Sequence, residues 1–238
     1  MTSKNNFSFS DSFIEEYDLF GKVFPFHDEL QGTIAEELES HFQNVENKSD
    51  LVFLDIGAGY GFTTQLVAQK FPNAKFLLNE YGEDLINRAD DYLKEYNYEK
   101  KIGDIEEVIK TIPDNSVDAV YTAWVLHNFP PEKRKVIYDN VARILKKGGA
   151  FIALEKIGDN NKERESHLAQ ALIDLSPFVT KHKRPDLFLE WVRHNLRDEE
   201  PDLLFSDKEN EQLLNQNNFE WKYVKHILLE KIFTAVKK

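Results

Sequence analysis

The chain has 238 residues, enough for one well-buried domain with an appendage. Hydrophobic residues make up 41% and charged residues 30%, which excludes a disordered or membrane-embedded chain. The absence of cysteine excludes disulfides, thiolate metal sites and a cysteine nucleophile, and a net charge of −12 repels a phosphate backbone, so nucleic acid is a disfavoured partner. No apolar run reaches membrane-spanning length and the first residues lack the apolar core of a signal peptide, so a cytoplasmic protein with no membrane partner is expected.

Residues 1–12 are polar with scattered Phe and read as a mobile leader. Phe13, Ile14, Tyr17, Leu19 and Phe20 suggest a short amphipathic helix that Gly21 stops. Leu30, Ile34, Leu38 and Phe42, four residues apart, predict a second helix over 25–42. These elements precede the first strand, and residues 1–48 are expected to form a helical lid over a domain spanning 49–238. The run Leu51 to Ile56 reads as a central strand. Gly57, Gly59 and Gly61 follow it as a tight turn into a helix from Phe62 to Lys70. Their G-x-G-x-G spacing is tighter than the G-x-G-x-x-G of dinucleotide-binding dehydrogenases.

Residues 74–79 predict a second strand ending at Glu80, an acid placed to accept hydrogen bonds from a ribose diol. A helix over 82–96 and a short strand before Gly103-Asp104 follow. Residues 117–125 form an apolar fourth strand running into His127. Residues 131–145 read as a helix with Val136, Ile137, Val141, Ile144 and Leu145 inward, and 150–157 as a fifth strand. Residues 158–200 break the rhythm as a helical cap insertion. A helix over 207–216 and closing strands over 219–229 and 230–236 complete the chain. This order predicts an α/β fold, a doubly wound and mostly parallel sheet with helices on both faces. Ligands of such sheets lie beyond the strands' carboxyl ends, where the glycines, Glu80, Asp104 and His127 all fall.

The ordered motifs Leu-Asp-Ile-Gly-Ala-Gly-Tyr-Gly at 54–61, Asn-Glu-Tyr at 79–81, Gly-Asp at 103–104, Pro-Asp-Asn-Ser-Val-Asp-Ala-Val at 113–120 and Leu-Lys-Lys-Gly-Gly at 145–149 resemble the class I S-adenosylmethionine-dependent methyltransferases. The resemblance covers residues 50–157. It implies a Rossmann-like seven-stranded sheet with an antiparallel last strand, and S-adenosyl-L-methionine as cofactor. By that resemblance Asp55, Gly57 and Gly59, with Ala58, contact the methionine part. Glu80 meets the ribose hydroxyls and Asp104 the adenine amino group, with Tyr81 and Ile105 also among the cofactor-binding residues.

The stretch Trp124-Val125-Leu126-His127-Asn128-Phe129-Pro130 is similar to the His-Asp-Trp segment of caffeate-type O-methyltransferases, with Asn128 and Phe129 in place of Asp and Trp. The likeness implies His127 as the base for an acceptor hydroxyl, with Glu155 orienting it. The alternative from the residues alone is that His127 lines the pocket while proximity drives the transfer. A small-molecule acceptor against Tyr17, Trp124, Trp191 and Arg193 is expected. The seven histidines show no H-E-x-x-H-type spacing, so no metal is expected. Glu155-Lys156 also resembles carboxy-S-adenosylmethionine synthase, which needs an arginine, here Arg193 or Arg197, for its carboxylate. An RNA-modifying enzyme and a non-catalytic partner subunit are the other readings, and a homodimer is compatible with all of them.

Overall fold

The computed structural model describes residues 18–24 and 26–238. The leader and the start of the first expected helix, Tyr17 included, lie outside the described residues. Helix α1 (Asp18–Val23) runs through Gly21 rather than stopping there. Helix α2 (His27–His41) follows, with Leu30, Ile34, Ala35 and Leu38 buried. Strand β1 (Val52–Ile56) leads through the glycine turn into α3 (Phe62–Lys70), and β2 (Lys75–Glu80) comes next. The helix expected over 82–96 is two short ones, α4 (Glu83–Asn87) and α5 (Ala89–Leu93), followed by β3 (Asn97–Ile102).

The short α6 (Ile105–Val108), β4 (Val117–Ala123) and a 3-10 turn over Leu126–Asn128 bring the chain to α7 (Pro131–Ile144). In α7 it is Arg134 and Tyr138 that are fully buried beside Ile137, Val141 and Ile144, while Val136 is half-buried. Strand β5 (Leu145–Lys156) starts earlier than its apolar run. The cap is α8 (Asn161–Thr180) and α9 (Pro185–Arg197); α10 (Asp207–Gln216), β6 (Phe219–Ile227) and β7 (Glu230–Lys237) close the chain.

The sheet order is β3-β2-β1-β4-β5-β7-β6. Six strands are parallel and β7 runs antiparallel between β5 and β6. The order reverses between β1 and β4, which opens a crevice at their carboxyl ends. One face is covered by α2 and α3 through Leu30, Ile34, Leu38, Val67 and Ala68 against Phe53, Phe76 and Leu78. So α2 is a sheet-covering helix, and among the described residues of the expected lid it is α1 with Phe24 and Phe26 behind it that reaches the crevice. The other face carries α7 and α10 through Ile137, Val141, Ile144, Leu213 and Leu214. A third, smaller cluster of Val23, Leu175, Phe178, Leu187 and Trp191 joins α1 to the cap, apart from both sheet faces.

Candidate active site

A cavity of about 310 Å³ lies over the reversal between β1 and β4, within the range of small-ligand sites. Its floor is the glycine turn. Gly57 has φ +68°, and a Cβ there would lie 2.4 Å from Val125 Cγ2, so only glycine lets the turn pack against the segment after β4. Gly59, also at positive φ, meets nothing closer than 3.9 Å and leaves its face open to the cavity. Its amide donates to Glu80 Oε2 at 3.0 Å, while Tyr81 N and Gly82 N donate to Oε1 at 2.8 and 3.0 Å. Three amides thus fix the Glu80 carboxylate at the cavity edge.

Asp104 caps α6 through Glu106 N at 2.9 Å and holds Lys133 Nζ at 2.9 and 2.7 Å. Burial pushes its pKa up, but the Lys133 ammonium and the Glu106 amide outweigh that and hold it low. Gly57, Gly59, Glu80, Tyr81, Asp104 and Ile105 line the cavity as expected. Asp55 and Ala58 do not. Strand alternation turns the Asp55 side chain under α3, where Thr64 Oγ1 donates to it at 2.6 Å.

The opposite wall is built around His127, which is 2% exposed. Its Nδ1 lies 2.6 Å from Glu155 Oε2. Glu155, fully buried at the end of β5, also accepts from Val125 N, Leu126 N and His127 N at 2.9–3.2 Å. Four donors therefore hold the carboxylate, and the carboxylate holds the imidazole with Nδ1–H toward it. Nε2 is buried without a hydrogen-bond partner and lies 3.8 Å from Asp198 Oδ2.

Three buried histidines, His127, His167 and His194, line the cavity, as does Lys156. Lys156 Nζ bonds Asp198 Oδ2 at 2.6 Å and Asn195 Oδ1 at 3.1 Å. Burial alone lowers its pKa, but Asp198 and Glu230 more than reverse this and keep it cationic. Burial, helped by Lys156, pushes the His167 imidazole down to about 3. Burial is also the main cause that takes His194 to about 3, so both rings are neutral.

Aromatic groups close the remaining side. Phe20 of α1 stacks on Trp191 of the cap with centroids 3.9 Å apart, and Trp124, at φ +59°, donates Nε1–H to Glu230 Oε2. Trp124 and Trp191 both line the cavity. Arg193 does not: it points to solvent on the outer face of α9, and Arg197, one turn further on, is the arginine in the wall. His194 and Asp198 were missed by the sequence reading. Their signal was an i, i+4 pair on one helix face, a spacing outside the familiar ligand motifs.

The profile of a family described as a methyltransferase domain matches residues 53–149, from β1 through the glycine turn to the start of β5. Residues 53–149 thus carry a methyltransferase domain, and the sheet around them has the Rossmann-like methyltransferase fold. Among curated relatives, the S-adenosyl-L-methionine-dependent methyl transferase PigF of Serratia sp. is 26% identical over 160 residues, 66% of this chain and 45% of that protein. Nicotinate N-methyltransferase 1 of Arabidopsis thaliana is 27% identical over 150 residues, 60% of this chain and 39% of that one. The chain thus spans less than half the length of these relatives. Its fold is similar to that of the CurJ carbon methyltransferase, with a TM-score of 0.66 and 14% identity over 93% of this chain and 58% of that one.

Proposed function

We propose that this methyltransferase moves the methyl group of S-adenosylmethionine to a small acceptor held between Trp124, Trp191 and His127, with oxygen as the preferred acceptor atom. The observation that carries the reading is His127. Its Nε2 faces the cavity with an unshared lone pair while Glu155 engages the other ring nitrogen, the arrangement a proton acceptor needs. The acceptor lone pair attacks the methyl carbon in line with the carbon–sulfur bond. That bond breaks, sulfur leaves as a neutral thioether, and the acceptor's proton passes to His127 Nε2. The resulting imidazolium is stabilised by Glu155.

On the cofactor side, Gly57 and Gly59 give the methionine part close access, and Glu80 offers a fixed carboxylate to the ribose diol. The pocket floor and the net charge of −12 favour a metabolite over RNA. Arg197 in the cavity wall supports a second reading, in which a carboxylated form of the cofactor is handled as in carboxy-S-adenosylmethionine synthase. Mass spectrometry of the sulfur-containing product separates the two.

Isothermal titration with S-adenosylmethionine and S-adenosylhomocysteine tests the core of the proposal, and both are expected to bind. Binding of neither to the folded protein overturns it. His127→Ala is expected to keep S-adenosylhomocysteine affinity and to lower turnover about 10²- to 10⁴-fold, the usual contribution of a general base. A loss below about tenfold would leave proximity, rather than proton transfer, as the main contribution.

A further inference from the structure

We infer that the cap end of the cavity is a binding site for one divalent first-row transition ion, held by His127 Nε2, His194 and Asp198. One ligand atom from each of these three buried side chains lies within 4.8 Å of the other two. His127 Nε2 is 3.8 Å and His194 Nε2 3.9 Å from Asp198 Oδ2. Metal–ligand bonds of ~2.0–2.2 Å place neighbouring ligands about 3–4 Å apart, so small side-chain adjustments complete the site.

The supporting contacts point the same way. Ligating imidazoles characteristically donate their other N–H to a carboxylate, and ligating carboxylates are themselves hydrogen-bonded. His127 Nδ1 has Glu155 at 2.6 Å, and Asp198 Oδ2 has Lys156 at 2.6 Å. Among the buried atoms without a hydrogen-bond partner are His127 Nε2 and Asp198 Oδ1, both lone-pair donors. Burying unsatisfied acceptors costs about 1–3 kcal/mol each unless something supplies the missing partner. Two neutral imidazole nitrogens and one carboxylate oxygen suit zinc, iron, cobalt or manganese rather than magnesium or calcium, and three protein ligands leave positions open toward the cavity.

Lys156 is the group that opposes a second cation. The carboxylates of Asp198, Glu230 and Glu199 act on it and offset its charge. The site stands on this donor geometry and does not depend on the methyl-transfer reading. Ion binding and proton uptake use the same His127 lone pair. Held by His127, His194 and Asp198, the ion would supply Lewis-acid polarisation of an acceptor oxygen, and it would occupy the lone pair that otherwise takes the proton.

The test uses the full chain stripped with a chelator and titrated with Co²⁺, read by the visible bands of the bound ion, and with Zn²⁺ by calorimetry. Trp124 and Trp191 border the site, so quenching of tryptophan fluorescence by Co²⁺ reports binding on the unmutated protein. One ion per chain is expected, with Zn²⁺ displacing Co²⁺. His194→Ala and Asp198→Asn are expected to weaken it at least ~100-fold, and Glu155→Gln about 10- to 100-fold. No stoichiometric binding to the unmutated chain overturns the inference, as does binding unchanged in folded His194→Ala and Asp198→Asn proteins. S-adenosylhomocysteine binding measured in parallel tests the cofactor reading separately.

Discussion

Asp55 ends β1 as a fully enclosed carboxyl group whose nearest polar neighbours are Thr64 Oγ1 at 2.6 Å and, through it, the Tyr121 hydroxyl. Burial pushes its pKa up to about 8, against the pull of the Thr64 hydrogen bond and with some help from Glu80. An unfolded aspartate ionises near ~3.9, so between that value and about 8 the native state holds a proton that the unfolded state has lost. This contribution to stability is complete below the unfolded value and disappears as pH rises through the native one. Asp55→Asn cannot ionise and lacks it. The unmutated protein is therefore expected to lose stability relative to the variant on going from mildly acidic to mildly alkaline conditions. The loss is on the order of a few kcal/mol, since one pKa unit is ~1.4 kcal/mol. Urea denaturation of both proteins across that range checks it, and a constant difference would contradict the assignment. An acid before a glycine turn was legible as a site feature; that its side chain turns to the helix-covered face follows from strand alternation, which the motif does not display.

The elements with period and punctuation were legible: α3 and α10 have the bounds read from their sequence, and β1 and α7 differ from expectation by one residue. Hydrophobic patterning failed where polar groups take core positions. Arg134 is the clearest case, fully buried on α7 beside the apolar stripe. Its guanidinium pairs with Glu209 of α10 through Nε at 2.7 Å and Nη2 at 2.8 Å, and its remaining donors reach the carbonyls of Phe129, Leu203 and Leu204. Those partners come from segments about seventy residues apart, so no local pattern announces them. The pair fixes α10 to α7 and the chain entering it. Arg134→Ala leaves Glu209 and three carbonyls without these donors and is expected to cost about 3–5 kcal/mol, read as a lower urea midpoint. Arg134→Lys is expected to recover little, because a lysine cannot reproduce the bidentate fork.

At the scale of the molecule, the proposed cofactor half of the candidate site comes from contiguous motifs between β1 and α6, which the sequence displays. The acceptor half is assembled from α1, the turn after β4, the end of β5, and α8–α9, and was legible only at His127, Glu155 and the two tryptophans. The cap is joined to the sheet mainly by polar links: Lys156 of β5 to Asn195 and Asp198, and His226 of β6 to Glu163. Its apolar cluster is separate from both sheet faces. Leu172, Ile173, Val179, Leu189 and Leu196 on the same two helices are exposed. A unit with its own small core and few apolar ties opens at a lower free energy than the sheet. Amides of α8 and α9 are therefore expected to exchange hydrogen faster than those of β1, β4 and β5. Because His167, Trp191, His194 and Arg197 of the cap line the cavity, a ligand that fills it bridges cap and sheet and slows that exchange. Hydrogen–deuterium exchange by mass spectrometry, with and without S-adenosylhomocysteine and a candidate acceptor, measures both effects. Cap amides that exchange as slowly as the central strands in the free protein would mean that the cap and the sheet open as one cooperative unit, and that acceptor entry does not depend on cap motion.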